Sequence, residues 1–473
     1  MIKSTNLFLD QNKNNNAEFG SVFRSSAIFY IPPNIKTTIC ISNYWYFKNN
    51  IKISLLMTIR NLEGKTISRK ELSFNSSNVI SISKFGIKSG SVEIEAFGNI
   101  NLRIPYAAVM AIYEAHRSIS MVHAYTRNHS IIELEDQNCI LSAKESCWSI
   151  KPRFVNKAIF HNGHINLNKQ KARLILTNQD GKDKVYKFEI PNLNAYQTFI
   201  FDIKKIAPNF NKFLKNKEGW ATVNFESKSS FTRLLVIWQD IHKKEMQVTH
   251  SNFDYSNYIT NKLFSKKGVQ MTFPKFSNLL QEINLITYPK FEKGDYSYCL
   301  SGNKPNKFNT GFIKKINSEI SFVNFKKKNN ILPTRIVTAL SGRIKNQLVP
   351  FECSMGVDHE QAPKKRFSWA LVSGKHLNLI FMNRNSVIES EISNEFTFKL
   401  YSNASKDVKL KKIKIKEPLD GRYAIKLEKL FPSYKTFLQN DYGYISLFSK
   451  DISIRLYTAI FNKKKGITFE HAF

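Results

Sequence analysis

The sequence predicts an all-β chain of tandem antiparallel β-sandwich units, Ig-like or jelly-roll-like, with few short helices. Three observations carry this expectation. An arginine opens a short apolar run four times, at Arg103-Ile104-Pro105-Tyr106-Ala107, Arg233-Leu234-Leu235-Val236-Ile237, Arg335-Ile336-Val337-Thr338-Ala339 and Arg455-Leu456-Tyr457-Thr458-Ala459. A histidine closes the segment that follows each run: His123, His250, His359 and His471. Upstream, three of the four keep a glycine before an alternating stretch, at Gly90, Gly219 and Gly443, and alternation is the strand period. The anchors lie about 100 to 130 residues apart, which is the size of a domain and too long for a solenoid repeat.

The first unit reads as seven strands, near Thr38–Ser42, Ile53–Arg60, Thr66–Ser73, Val79–Ser83, Ser91–Phe97, Arg103–Ile112 and Ser118–Ala124. Asn61-Leu62-Glu63-Gly64-Lys65 and Asn178-Gln179-Asp180-Gly181-Lys182 read as hairpin turns, because glycine supplies the positive φ a tight connection needs. Asn403-Ala404-Ser405-Lys406 stands at the corresponding place in the fourth unit. Short helices are expected near Ser277–Glu282 and Leu427–Leu438. Trp148 and Trp369 each begin a fresh strand pattern. The expected units are 20–130, 140–255, a degenerate 270–362 and 367–473.

The 473 residues are 42% hydrophobic, enough for several cores, and no apolar run approaches the ~18 residues of a membrane helix. The N-terminus breaks into Gln11-Asn-Lys-Asn-Asn-Asn16 before an apolar core of signal-peptide length forms, so the expected location is cytoplasmic. Cys40, Cys139, Cys147, Cys299 and Cys353 show no paired spacing, which argues against a disulfide framework or zinc ribbon. No cofactor and no metal are expected.

The net charge of +34 invites a polyanion such as nucleic acid or an acidic polysaccharide. It is spread along the chain with a modest C-terminal weighting. Lysine greatly outnumbers arginine, whereas phosphate sites favour the forked guanidinium. The best local candidate is Lys412, Lys414 and Lys416, which alternate with Ile413 and Ile415 and so share one face of a strand. The bland reading is an outer strand whose lysines discourage edge pairing.

The recurring Arg103, Arg233, Arg335 and Arg455 fit a structural role, bonding backbone carbonyls at the head of a strand. The closing histidines have different neighbours in each unit, which argues against a shared catalytic role. Asp358, His359 and Glu360 bring polar groups together and are the one candidate for a base or ligand cluster, although adjacent strand residues face opposite ways. His161-Asn-Gly-His164 reads as a turn with two exposed imidazoles. Glu93 and Glu95 share a strand face, with no partner to make a catalytic pair.

The chain carries no Gly-x-Ser-x-Gly elbow, phosphate loop, His-Glu-x-x-His or dinucleotide fingerprint. The expectation is therefore a non-enzymatic multi-domain binding protein for a glycan or protein partner. The alternatives are a basic polyanion binder and a carbohydrate-active enzyme with its site at an inter-unit junction.

Overall fold

The computed structural model describes residues 23–472 apart from 74–76, 99–107, 124–125, 130–140, 143–145, 228–232, 243, 253–257, 261–268, 278, 289–295, 299–305, 308–311, 317–321, 328–330, 334, 359–366, 385–391 and 419–420. Among the described residues the chain is nearly all antiparallel β, and its eight larger sheets fall into four successive groups of two, with two further two-stranded ribbons, Leu141–Ser142 with Glu226–Ser227 and Tyr258–Thr260 with Ile331–Pro333. In the first group one sheet runs in the order Thr66–Leu72, Ser54–Asn61, Gly90–Gly98, Phe23–Ile31, with Thr126–His129 added at the edge. The other runs Ser77–Ser81, Lys36–Ser42, Val109–Glu114, Ile119–His123. Numbered along the chain, these orders are 4-3-6-1 and 5-2-7-8, and both recur in the remaining three groups. The repeat is therefore an eight-stranded sandwich rather than the seven strands expected. The strand missed in the first unit is Phe23–Ile31, buried from Ser25 onward, so it lacks the alternation that marks a half-exposed strand.

The second and fourth sandwiches each close over an apolar layer of their own. In the second group Trp148, Leu174, Leu176, Ala221 and Val223 of one sheet meet Ala158, Phe160, Phe201, Val236 and Trp238 of the other. The fourth repeats this with Val372, Phe398, Leu400 and Ile445 against Ile380, Met382 and Leu456.

The glycines have a packing cause. A Cβ on Gly219 would lie 2.5 Å from the Thr177 carbonyl oxygen and 2.6 Å from a Leu214 methyl; on Gly443, 2.4 Å from the Tyr401 oxygen and 2.5 Å from Leu438. Gly90 repeats the arrangement against the Arg60 oxygen at 1.9 Å and Ile87 at 2.9 Å. In the second and fourth groups the leucine comes from a helical corner shared by both sequences: Pro208-Asn-Phe210, Phe213-Leu214-Lys-Asn216 and Gly219 against Pro432-Ser-Tyr434, Phe437-Leu438-Gln-Asn440 and Gly443. The single helix expected over Leu427–Leu438 is two, Leu427–Leu430 and Tyr434–Phe437, parted at Pro432, which cannot continue the first. Ile203–Ile206 and Phe210–Phe213 are its counterpart. Ser277–Glu282 is not a helix. Ser277 turns with φ 46°, and Glu282 opens the strand Glu282–Tyr288.

The Gly64 and Gly181 turns do connect hairpins, with φ of 87° and 76°. In each an asparagine side chain caps the turn, Asn61 Oδ1 accepting from the Lys65 amide and Asn178 Oδ1 from the Lys182 amide. Asn403–Lys406 lies in the matching hairpin of the fourth group.

The 5-2-7-8 sheets face inward, and their closing strands bind the groups into a ring. Ile119–His123 packs on Met246–His250 and on Gly466–His471, while Phe351–Asp358 packs on the same two from the opposite side. Side chains and backbone seal each junction. Ser118 and Ser120 hydroxyls accept from the Met246 and Val248 amides, and Gln247 donates to the Ile119 carbonyl. The Met121 amide donates to the Thr468 hydroxyl, Gln347 bridges to Ile467, and Glu245 Oε2 accepts the Leu348 and Val349 amides. These strands are buried on both faces, one on the sandwich core and one on neighbouring groups.

Candidate functional site

The closing strands bring three histidines from three groups to one point on the ring's axis. Register explains why. His123 pairs with Met110, His250 with Leu235 and His471 with Tyr457, the same position of the 7-8 hairpin each time. In the third group that position is Gly356, opposite Val337. His359, the histidine expected to close that unit, lies outside the described residues, as does Glu360. Asp358 pairs with Arg335 at the end of its strand. Ala108 holds in the first group the place of Arg233 and Arg455, and Arg103 is outside the described residues.

The rings of His123 and His250 stand 4.5 Å apart and those of His123 and His471 4.7 Å. One ring nitrogen from each lies within 4.8 Å of the others, and among the described residues no other group of His, Cys, Asp or Glu meets this spacing. His250 Nδ1 lies 2.9 Å from the Ser251 carbonyl oxygen and His471 Nδ1 2.9 Å from that of Ala472. A carbonyl only accepts, so each Nδ1 carries the proton and, in the neutral ring, each Nε2 keeps its lone pair. Glu470 Oε1 sits 3.6 Å from His123 Nδ1 and 3.6 Å from His471 Nε2, and accepts from the Cys353 thiol at 3.5 Å. Burial, reinforced by the Arg233 guanidinium, pushes His123 down to about 3 and His250 well below the ordinary imidazole value. Burial also raises the Glu470 carboxyl.

Arg233 is buried beside this cluster, whereas Arg455 donates to the carbonyls of Ile452 and Ile454 on its own chain segment. Two further buried ionic groups are present, one between units and one within the first. Lys151, 1% exposed, bonds Glu352 Oε2 at 2.9 Å and Ser341 Oγ at 3.3 Å, with the Trp238 ring 4.5 Å away. Glu93 and Glu95 share a strand face as expected, and each has an arginine beside it: Arg60 bonds Glu93 at 2.7 Å and the Arg24 guanidinium lies 3.0 Å from the Glu95 carboxylate. Arg60 in turn stacks 4.0 Å above the Tyr196 ring of the second group.

His161 is buried, correcting the exposed-turn expectation. It ends a strand with Nδ1 3.0 Å from the Thr198 hydroxyl, and Asn162 bonds the carbonyls of Ile165 and Asn194. Burial, then Arg60, pushes its ring down to about 3. The neutral ring is therefore favoured by folding, and stability is lost as pH falls from about 6.5 towards 3 while the unfolded chain takes the proton. Between pH 7 and 5 this one group costs about 2 kcal/mol. His161→Gln should reduce the difference in unfolding free energy between those pH values by that amount, measured by denaturant titration.

The lysine candidates lie apart from the axis. Lys412 and Lys414 are exposed on Val408–Lys414, the outer edge strand of the fourth group, and Lys416 is exposed just beyond it. Ile413 and Ile415 turn onto that sandwich's core. Lys414 reaches Glu395 at 3.6 Å.

The described cysteines Cys40, Cys147 and Cys353 are buried thiols, and Cys139 and Cys299 lie outside the described residues. Among the described residues no helix is long and apolar enough to cross a membrane.

No family model matches the chain, and no curated protein matches it. Among solved structures it is similar to the tetra-tandem repeat in the extending region of a large adhesion protein, at 8% identity, 89% of this chain and 91% of that chain covered, and a TM-score of 0.11. A viral chemokine binding protein encoded by rodent gammaherpesvirus Peru gives 8% identity, 88% and 96% coverage, and a TM-score of 0.13. Scores this low carry no argument, and the tandem all-β architecture stands on the chain's own sheets.

Proposed function

We propose that the chain is a non-enzymatic multi-domain β-sandwich binding protein, each group one domain, whose partner is a glycan or another protein recognised on outer sheets and loops. The observation that carries this reading is the division of polar groups. The Lys151–Glu352 pair and the histidine cluster are engaged between units, whereas the outer sheet of the second group presents an open depression of about 930 Å³. Lys171, Arg173, Lys187, Asn224 and Glu226 line it, offering donors and acceptors to hydroxyl or peptide groups, while Gln170 is tied at both ends to the Glu226 backbone. The test is binding of the intact protein to neutral, sulfated and uronic-acid glycans, with Arg173→Ala and Lys187→Ala as the variants. Salt-insensitive binding to one glycan, weakened about tenfold or more by either variant, supports the reading; glycan binding that both variants leave unchanged removes this face from it.

The second reading, a polyanion binder, is favoured by Lys412, Lys414 and Lys416 on the exposed edge of the fourth group. If it holds, heparin or RNA affinity falls steeply between roughly 50 and 300 mM salt. The triple change Lys412→Glu, Lys414→Glu, Lys416→Glu should then lower the slope of log K against log salt by about 2 to 3. An unchanged slope excludes this edge as the contact.

A further inference from the structure

We propose that His123, His250 and His471 together bind one divalent transition-metal ion, Zn²⁺ by preference, with Glu470 as the fourth donor, so that the ion links three units at the ring's axis. The donor set is the first argument. Three imidazoles and a carboxylate suit a tetrahedral borderline-soft ion, and hard cations that demand oxygen shells are poorly served.

The second argument is the outer support. Metal-bound histidines usually donate their other ring N–H to a carbonyl or carboxylate, which fixes the tautomer and aims the lone pair. His250 and His471 do this identically through Ser251 and Ala472, and the amides of Ser251 and Ala472 are themselves tied back to the carbonyls of Leu234 and Leu456.

The third argument is spacing. Glu470 Oε1 stands 3.6 Å from His123 Nδ1 and 3.6 Å from His471 Nε2, beside two of the three rings. Bonds of about 2.0–2.2 Å place tetrahedral donors about 3.4 Å apart, so Glu470 is already near that spacing from His123 and His471, and the histidines, within 4.8 Å of one another, close on a common ion by ring rotation. The third group has glycine at the corresponding register position. Arg233 is the one opposing charge among the groups named, and the Glu470 carboxylate offsets it.

The test uses the intact protein. After exhaustive chelation, Zn²⁺ is added back and bound metal is counted per chain, with X-ray absorption on the loaded protein. One ion per chain and a first shell of three imidazoles with one oxygen are expected. His471→Ala, the least buried of the three, should lower affinity at least 100-fold with folding retained. No ion retained by the native protein overturns the proposal, as does a shell with fewer imidazoles or with sulfur. Full binding by folded His471→Ala does the same. If His471→Ala fails to fold, the ligand shell of the native protein decides alone.

Discussion

Replacing Lys151 with methionine is expected to destabilise the protein by about 3–5 kcal/mol, because it leaves the Glu352 carboxylate buried without its cation. Lys151 stands at the start of the second sandwich and Glu352 on the closing strand of the third, and each is 1% exposed in its side chain. Burial alone would lower the lysine; Glu218 and Glu352 outweigh it and hold its ionisation above the ordinary value. The Ser149 hydroxyl gives Glu352 Oε2 a second donor at 2.7 Å. The pair is therefore fully partnered as it stands, and costly only when halved. Lys151→Met with Glu352→Gln should recover about half of the loss or more, since no uncompensated charge then remains. Equal losses in the single and double variants, measured by denaturant unfolding, would mean that the lysine acts through packing alone.

Gly443→Ala should cost about 3 kcal/mol or more, because its methyl would lie 2.4 Å from the Tyr401 carbonyl oxygen and 2.5 Å from Leu438. Both neighbours are fixed: one is a rung of the sheet, the other the end of the helical corner. Gly219→Ala is its counterpart, at 2.5 Å from the Thr177 oxygen. Gly181→Ala provides the comparison, since its φ of 76° is strained for alanine but nothing lies within 4 Å. About 1 kcal/mol is expected there. A Gly443→Ala cost no larger than that of Gly181→Ala would show that backbone conformation, not close approach, keeps the repeat glycine.

Fold class was readable because it depends on local pattern. Alternation at Gly90–Phe97 and the Asn-x-x-Gly turns are short-range signals, and the strands they imply form. The first strand escaped because burial on both faces removes alternation. The helical corner over Leu427–Leu438 was legible, whereas its counterpart at Ile203–Phe213 escaped although Pro208 and Pro432 and the Phe-Leu-x-Asn runs stand in both sequences, because the likeness lies between distant units and not within either. The axial cluster is a different case. His123, His250 and His471 were each visible as closing residues, and their unlike neighbours argued against a common role. What joins them is the packing of three sandwiches, a relation between residues more than 120 positions apart that no local pattern encodes. Their shared hairpin position was the available signal. It was obscured by matching on residue type, which selected Arg103 and His359 where the register has Ala108 and Gly356.

The fourth sandwich returns to pack on the first. Its signature contacts are Tyr442 on Glu114 at 3.0 Å, Tyr444 on the Cys40 carbonyl at 2.9 Å, and Thr468 on the Met121 amide at 3.0 Å. Small-angle X-ray scattering of the monomer tests this most directly. A closed ring of 473 residues predicts a radius of gyration of about 23 Å, the value for a compact chain of this length. Four sandwiches strung in a row would give about 35 Å or more, and that result would contradict the ring and the shared axis with it.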